Sequence, residues 1–164
     1  MENKIEVTID KGHLITIGER LYKESIELVR ELVNNAYDAD ATEVHVSIKD
    51  DEVEVTDNGS GMDLDGFKQY FNIGSPYKKE NRKSPVYNRE RIGEFGIGKF
   101  AVLSASPYFE VWSKKEDFQG KVVFDKEEWK KNKDKWHLPL EIESTDKSKK
   151  NGTVVTLKKC IKKF

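Results

Sequence analysis

The stretch that most constrains this chain runs from Arg30 to Ala41 and has the pattern of an amphipathic helix that begins near Leu21. At about 100° per residue, Glu31, Asn35 and Asp38 lie within roughly 60° of one another on one face. The apolar residues of the opposite face recur at spacings of three and four, and they are Tyr22, Ile26, Val29, Val33 and Ala36. Such a helix either lines a pocket with its acid–amide–acid stripe or exposes an ordinary solvated face.

Two later stretches favour the pocket. In residues 56–62, Asp57 ends a predicted strand and is followed by Gly59 and Gly61, which let a backbone pass close to a ligand. In residues 92–98, three glycines precede a predicted helix, where free backbone N–H groups and the helix dipole favour an anion. The polar helix face and the two glycine clusters therefore need a common explanation.

The second glycine cluster does not match the commoner phosphate-binding loops. Residues 93–99 fit the first seven positions of a Walker A loop, but Phe100 stands where a Ser or Thr should bind magnesium. A dinucleotide-binding loop has the order G-x-G-x-x-G after a first strand, whereas this cluster has G-x-x-G-x-G late in the chain. Tight turns alone would explain one cluster, but they explain both clusters and the polar helix face poorly.

Taken together, residues 31–39, 57–62 and 93–98 resemble three successive motifs of the GHKL ATPases. This superfamily contains gyrase, the heat-shock chaperones, the histidine kinases and MutL, and it has the Bergerat ATP-binding fold. Residues 151–157 resemble a fourth motif, the Gly–Thr strand that closes the adenine pocket. The first two motifs are most similar to MutL and MORC-type members, and the glycine motif is most similar to the chaperone branch.

The resemblance implies a role for each matching polar residue. Glu31 would be the general base that activates water, and Asn35 would coordinate Mg²⁺, which keeps waters and phosphate oxygens as its other ligands. Asp57 would accept a hydrogen bond from the adenine amino group, with Thr153 supporting that contact through water. Asp38 would either bind near the base or only cap and orient the helix.

The resemblance also implies that backbone N–H groups of the glycine motif bind the phosphates of ATP. The further binding residues expected in these motifs are Gly59, Gly61, Met62, Gly93, Phe95, Gly96, Ile97, Gly98 and Lys99. The basic, aperiodic loop at about 75–92 matches the ATP lid in position and is expected to be mobile. Its Lys78 and Lys79 either neutralise phosphate or are solvated, and Asp40 is expected only to cap the helix end in solvent.

The remaining pattern predicts a chain dominated by strands. Ile5, Val7 and Ile9 alternate as a short strand, and residues 44–48 and 53–55 form an antiparallel hairpin. Residues 13–18 are expected only to lead into the helix that begins near Leu21. Further helices are predicted at 63–71 and 99–105, a short helix or loop at 127–136, and strands at 107–114, 120–125, 138–144 and 153–158. This pattern predicts an α/β (α+β) two-layer sandwich, with a mixed, mostly antiparallel sheet and helices on one face.

Composition limits the size, partners and compartment that can be expected for the chain. The 164 residues fit one domain, and 29 basic against 30 acidic residues give a net charge of −1. This net charge gives no strong electrostatic attraction to nucleic acid or to an anionic membrane, and no apolar run is long enough to match a membrane span. Nucleic acid remains open as a partner. Cys160 is the sole cysteine, which fits a reducing compartment, the cytoplasm or a eukaryotic nucleus.

The expected function is an ATP-hydrolysing switch that takes ATP, releases ADP, requires Mg²⁺ and forms an ATP-dependent homodimer. The chain is expected to be the N-terminal fragment of a larger protein, because it stops just past the fourth motif. A missing C-terminal domain or partner subunit would supply the Lys or Arg that senses the γ-phosphate, so turnover by this chain alone should be slow. One alternative is an ATP-gated dimerisation module with negligible turnover. Another is a histidine kinase catalytic domain, although only His13 precedes the ATP helix.

Overall fold

The computed structural model describes residues 5, 10–21, 25–72, 81–93, 103–104, 106–132 and 137–159. In chain order, its elements are α1 (Lys11–Leu21), α2 (Ser25–Asp38), β1 (Val44–Ile48), β2 (Glu52–Asp57), α3 (Leu64–Phe71), β3 (Tyr108–Lys115), β4 (Phe118–Asp125), α4 (Lys126–Lys131), β5 (Leu140–Ile142) and β6 (Gly152–Lys158).

The strands form one six-stranded sheet in the order β1-β2-β6-β3-β4-β5. Every pairing between the described strands is antiparallel, so the sheet shows none of the parallel pairing that a mixed sheet would contain. The strand that comes last in the sequence lies between β2 and β3. The β1–β2 hairpin and the strands predicted at 107–114, 120–125 and 153–158 are confirmed, and the strand predicted at 138–144 is confirmed over Leu140–Ile142.

Strand alternation gives the sheet one apolar face. Its buried side chains form two rows across the central strands, each residue at most 5% exposed. The first row is Val53, Leu157, Phe109 and Phe124, and the second is Val55, Val155, Val111 and Val122. Leu14, Leu28, Phe67 and Trp129, one from each described helix, join the same core. The predicted two-layer α/β sandwich with helices on one face is confirmed.

Most of the edge strand β1 is poorly covered by the helices. Val46 and Ile48 pair with the buried Val55 and Val53, yet they are 42% and 49% exposed. Only Val44 of β1 packs against the core, so the expectation that the hairpin buries one face holds for β2 and for the start of β1 but is wrong for the rest of β1.

Helix α1 is a correction to the sequence analysis, which expected only a connecting segment over residues 13–18. Its start is capped by Asp10, whose Oδ1 accepts from the Gly12 N–H at 2.8 Å. Leu14 and Ile15 are buried in the core. Packing of this pair thus stabilises a helix whose β-branched residues and glycines give it weak intrinsic propensity.

Several expectations lie outside the described residues: Val7 and Ile9 of the first strand, Tyr22 of the helix predicted to begin near Leu21, and most of the helix predicted at 99–105. Helix α4 confirms the helical alternative for the start of the segment at 127–136. Among the described helices the longest has 14 residues, and none combines the length and apolar character that a bilayer crossing needs.

Candidate functional site

The third row on the helix-covered face of the sheet is polar. Asp57 at the end of β2 is directly opposite Thr153 of β6, and Thr153 is opposite Ser113 of β3. The period of two along each strand puts these side chains on the same face as the apolar rows. Ser113 is fully buried and Thr153 is 9% exposed, and their hydroxyl oxygens are 2.9 Å apart. The apolar core therefore ends in a row of one carboxyl and two hydroxyl groups.

The Asp57 carboxyl is held by backbone N–H groups. Its Oδ1 accepts from the Gly59 N–H at 2.8 Å, and the Thr153 N–H also donates to the carboxyl. Burial raises the pKa of Asp57 above its ordinary value, while these two donors oppose the rise by stabilising the anion. A carboxylate offers about four acceptor positions, so this group has capacity for a donor on a ligand.

Tyr70 of α3 lies in the electrostatic field of this carboxyl. Burial and the negative charge of Asp57 both raise the pKa of its phenol, so Tyr70 stays neutral and uncharged in the core. Helix α3 is fixed nearby by its N-cap Asp63, which accepts from the Gly66 N–H at 2.8 Å. The described groups next to the half-buried Asp57 therefore include a neutral phenol on its inner side.

Ser113 is the residue of this row that the sequence analysis missed. Its hydroxyl accepts from the Met62 N–H at 2.9 Å and donates to the Gly152 carbonyl at 2.9 Å. It therefore joins the loop after Asp57 to the strand that carries Thr153. A signal was present, because Ser113 occupies the next inward-facing position after the buried Val111.

The two glycines after Asp57 are required by the protein's own packing. A Cβ on Gly59 would lie 2.7 Å from the Ala39 carbonyl oxygen. A Cβ on Gly61, which has a φ of +68°, would lie 1.8 Å from the Lys114 carbonyl oxygen. The end of α2 and the end of β3 are therefore reason enough for glycine at both positions, and the role of these glycines beside a ligand stays a prediction.

The segment that follows α2 is tied to the loop after Asp57. The Ala39 carbonyl accepts from the Ser60 N–H at 2.8 Å. The Asn58 side-chain oxygen accepts from the N–H groups of Thr42 and Glu43 at 2.8 and 2.9 Å. The first and second motifs therefore meet at the C-terminal end of α2.

Residues 82–91 form a small hydrogen-bonded loop that docks on the same helix end. The Ser84 N–H donates to the Arg89 carbonyl, and the Arg91 N–H donates to the Arg82 carbonyl, both at 2.9 Å. An isolated β-bridge joins Lys83 to Glu90. The predicted loop is confirmed for this part of the lid, which its own hydrogen bonds hold together, and its mobility stays a prediction. Lys78 and Lys79 lie outside the described residues.

Asp40 anchors this loop. It is only 5% exposed, and its carboxylate accepts from the Val86 N–H at 2.9 Å and the Tyr87 N–H at 3.1 Å. Burial disfavours its charge, but the hydroxyl of Ser84, these N–H groups and the charge of Arg89 together hold the pKa of Asp40 below its ordinary value. The expectation that Asp40 is solvated was wrong.

Asp38 joins the first motif to the third. It is the last residue of α2 and is 5% exposed. Its Oδ1 accepts from the Ile92 N–H at 2.9 Å, and its Oδ2 accepts from the Gly93 N–H at 3.2 Å. The Gly93 N–H is thus engaged by protein in this structure. The remaining residues of the glycine motif that were expected to bind, Phe95, Gly96, Ile97, Gly98 and Lys99, lie outside the described residues.

The orientation of α2 explains why its polar stripe is not simply solvated. Its buried residues are Leu28, Val29, Leu32 and Ala36, while Ile26 is 58% exposed. At about 100° per residue, the centre of this buried side lies roughly 60° around the axis from the face that the sequence predicts.

This turn brings the polar stripe to the flank of the helix. Glu31 and Asn35 are half-buried there, one helical turn apart, on the same flank as Asp38. Their roles as base and magnesium ligand stay predictions. Within the described residues, no group of three or more His, Cys, Asp and Glu side chains is placed to hold a metal ion, so a metal here would depend on Asn35 with phosphate and water oxygens.

An antiparallel six-stranded sheet with helices on one face is the architecture of the GHKL ATPase fold. The model of the family described as "Histidine kinase-, DNA gyrase B-, and HSP90-like ATPase" matches residues 23–156. The chain therefore belongs to this family, and it is an ATP-binding domain. The match includes the segments that carry the first three motifs.

Relatives of this chain act in DNA metabolism according to their names. It is 35% identical over 112 residues to the putative type II restriction enzyme HgiDII of Herpetosiphon aurantiacus, covering 68% of this chain and 18% of that protein. It is 36% identical over 109 residues to the DNA mismatch repair protein MutL of Staphylococcus carnosus, covering 65% of this chain and 17% of that protein.

A solved structure shows the same fold over most of the chain. The N-terminal domain of a DNA repair protein superposes with a TM-score of 0.58 and 17% identity, covering 90% of this chain and 40% of that one. The chain spans less than a fifth of the length of the two relatives.

Proposed function

We propose that this chain binds Mg-ATP across its three motifs and acts as a nucleotide-dependent switch that hydrolyses the ATP. The observation that carries the proposal is the half-buried Asp57 carboxyl, held by the N–H groups of Gly59 and Thr153 at the end of the apolar core. A ligand that binds this carboxylate must offer an N–H or O–H donor, and one that also meets the end of the core needs apolar surface. Adenine has an amino group and an apolar ring.

In this proposal the polar row selects the base. The Asp57 carboxylate accepts from the adenine amino group, and the Thr153 hydroxyl supports that contact through water. Guanine presents a carbonyl where adenine presents the amino group, so a carboxylate acceptor disfavours it. Removing one partner of such a buried bond costs about 1–3 kcal/mol, which is enough for base selectivity.

The flank of α2 supplies the hydrolytic chemistry. Asn35 would hold Mg²⁺, which neutralises phosphate charge when bound, and Glu31 would orient water and accept its proton. The Lys or Arg that meets the transferring phosphate is assigned to another domain or a partner subunit. ATP-dependent pairing of two copies would then convert the nucleotide state into a change of assembly. The single cysteine suits such a domain to a reducing compartment such as the cytoplasm.

Ligand binding is tested by thermal unfolding with ATP, ADP and GTP, each with and without Mg²⁺. A ligand bound only by the folded state at a hundred times its Kd stabilises it by about 2.7 kcal/mol. We expect shifts with ATP and ADP, little shift with GTP, and loss of the adenine preference in Asp57→Asn. Asp65→Asn is the matched control, because its side chain is 84% exposed. Equal shifts with GTP, or an Asp57→Asn variant that responds like the control, would contradict the adenine assignment.

Hydrolysis is tested with the protein in excess over labelled ATP, which detects a single slow turnover. Glu31→Ala should bind ATP but form no ADP, whereas Glu27→Ala, one turn earlier on α2, should form ADP at the wild-type rate. If Glu31→Ala hydrolyses ATP normally, Glu31 is not the base. If neither the wild-type protein nor Glu31→Ala hydrolyses ATP but both dimerise in its presence, the chain is an ATP-gated binding module.

The names of the relatives suggest that the ATP cycle serves a process on DNA. The net charge of −1 gives this chain little general attraction to the phosphate backbone. We therefore expect DNA to stimulate ATP turnover only in a protein that also carries further domains. Turnover of such a longer protein that does not change when duplex or single-stranded DNA is added would count against this extension.

A further inference from the structure

The end of α2 presents two buried aspartates with the same bonding pattern. Asp38 and Asp40 are each 5% exposed, and each accepts two successive backbone N–H groups from residues 86–93. Their targets differ. Asp40 binds the turn at Val86 and Tyr87, whereas Asp38 binds Ile92 and Gly93, where the glycine motif begins.

The position of Asp38 is not explained by the stability of the helix itself. An acid at the C-terminal end of a helix meets the negative end of the helix dipole, and α2 has no basic residue in its last turn. Burying a carboxylate is costly unless hydrogen bonds replace water. The two N–H donors provide those bonds, so the carboxylate and the 92–93 segment hold one another.

The two bonds fix orientation as well as position. Each oxygen of the Asp38 carboxylate takes one N–H group, at 2.9 Å for Ile92 and 3.2 Å for Gly93. Two parallel contacts to one rigid planar group leave the peptide between these residues little freedom to rotate. Asp38 also follows Glu31 by two helical turns on the same flank of α2. Asp38 therefore fixes the position of the start of the glycine motif relative to the helix that carries the proposed base.

We propose that Asp38 is a positioning residue for the phosphates of ATP. It sets where the phosphate-binding segment begins relative to α2, and it does so without touching the nucleotide. This inference rests on the proposed function and goes beyond it, since it separates phosphate recognition from adenine recognition. Asp40 holds the preceding turn and contributes to folding rather than to phosphate binding.

Substitution by asparagine tests this without changing side-chain size. Asn at position 38 keeps one acceptor oxygen, but its amide nitrogen is a donor that faces another N–H donor. One of the two bonds is lost and the 92–93 peptide is released. The Asp40→Asn variant loses one buried bond in the same way and is the matched control.

The readout is the dissociation constant of ATP compared with that of adenosine, measured by titration calorimetry with Mg²⁺. Wild-type protein should bind ATP more tightly than adenosine. Asp38→Asn should bind adenosine within about twofold of wild type but lose about tenfold or more of the ATP preference, the value of one charge-assisted bond. Asp40→Asn should melt at a lower temperature and keep the wild-type preference.

The possible failures can be told apart. A wild-type protein that binds neither molecule refutes the proposed function, and the inference with it. A wild-type protein that binds both, with an unchanged ATP preference in Asp38→Asn, refutes only the inference, as does an equal loss of preference in both variants. If Asp38→Asn does not fold, Asp38→Glu keeps both acceptor oxygens but displaces them by one methylene, and an unchanged preference there also overturns the assignment.

Discussion

Gly61 gives the sharpest test of the packing around the proposed nucleotide site. Its φ of +68° lies in the left-handed region, which costs a residue with a side chain roughly 1–2 kcal/mol. An added Cβ would lie 1.8 Å from the Lys114 carbonyl oxygen, and ordinary contact needs about 3.4 Å. Both atoms belong to backbone, so no side-chain rotation relieves the overlap.

The two costs together set the size of the expected effect. Forcing extra atoms into a packed site costs about 1–3 kcal/mol and occasionally more, so Gly61→Ala should destabilise the fold by about 2–5 kcal/mol in total. For a domain of this size, each 1 kcal/mol lowers Tm by roughly 2–4 °C. The assay is urea unfolding at 25 °C with a parallel thermal melt.

Gly66→Ala is the matched control, five residues further along in α3. An added Cβ there would lie 3.0 Å from the Met62 Cβ, so Met62 must move by a few tenths of an ångström, and this cost offsets the gain of about 0.5–1 kcal/mol from replacing a helical glycine. We expect a change near zero. A Gly61→Ala loss below about 1 kcal/mol, or one equal to that of Gly66→Ala, would refute the claim that Gly61 is fixed by contact with β3.

Three further predictions address the polar row, the buried acid and the sheet edge. Ser113→Ala should cost about 1–3 kcal/mol in urea unfolding, because the buried Met62 N–H loses its acceptor; an unchanged midpoint would mean that another group satisfies it. Because the pKa of Asp40 is lowered by folding, its stabilisation is complete above its unfolded pKa of about 4 and is lost as the pH falls through the folded value. Asp40→Asn should therefore be less stable at pH 7 and lose less stability than wild type in acid; parallel pH curves would contradict this. Val55→Thr should lower the free energy of unfolding by about 1–3 kcal/mol because it buries a hydroxyl. The same change at its cross-strand neighbour Val46, which is 42% exposed, should be nearly neutral. Equal losses of stability would mean that Val46 is as buried as Val55.

Local patterns in the sequence were sufficient for the strands and the family. The alternation ending in Val53, Val55 and Asp57 predicted both β2 and the place where its apolar side gives way to a polar group. The order of the motifs predicted the family that the comparison then showed. These features depend on neighbours within one strand or one turn, which a sequence displays directly.

The expectations that failed depend on contacts between distant segments. Helix α1 contains the β-branched run from Ile15 to Ile17, which favours a strand until Leu14 and Ile15 are packed in the core. The buried face of α2 is a second apolar stripe with helical spacing, Leu28, Val29, Leu32 and Ala36, and packing on the sheet selects it over the predicted one. Burial of Asp40 depends on N–H groups more than forty residues away, so no local pattern could reveal it.

The sheet order has a consequence for how the protein is made. Residues 152–158 form the strand between β2 and β3, so Asp57 and Thr153 meet only after almost a hundred intervening residues have been synthesised. Until then a nascent chain on the ribosome can form only the β1–β2 hairpin and the three-stranded β3–β4–β5 unit, each with an unpaired inner edge and an unfinished apolar face. Strand pairings between residues this distant in sequence form slowly, and until they form the unpaired strand edges can associate with other chains. The proposed nucleotide site and the complete six-stranded sheet therefore form in one late step, and a ligand that binds Asp57 would draw the two halves together.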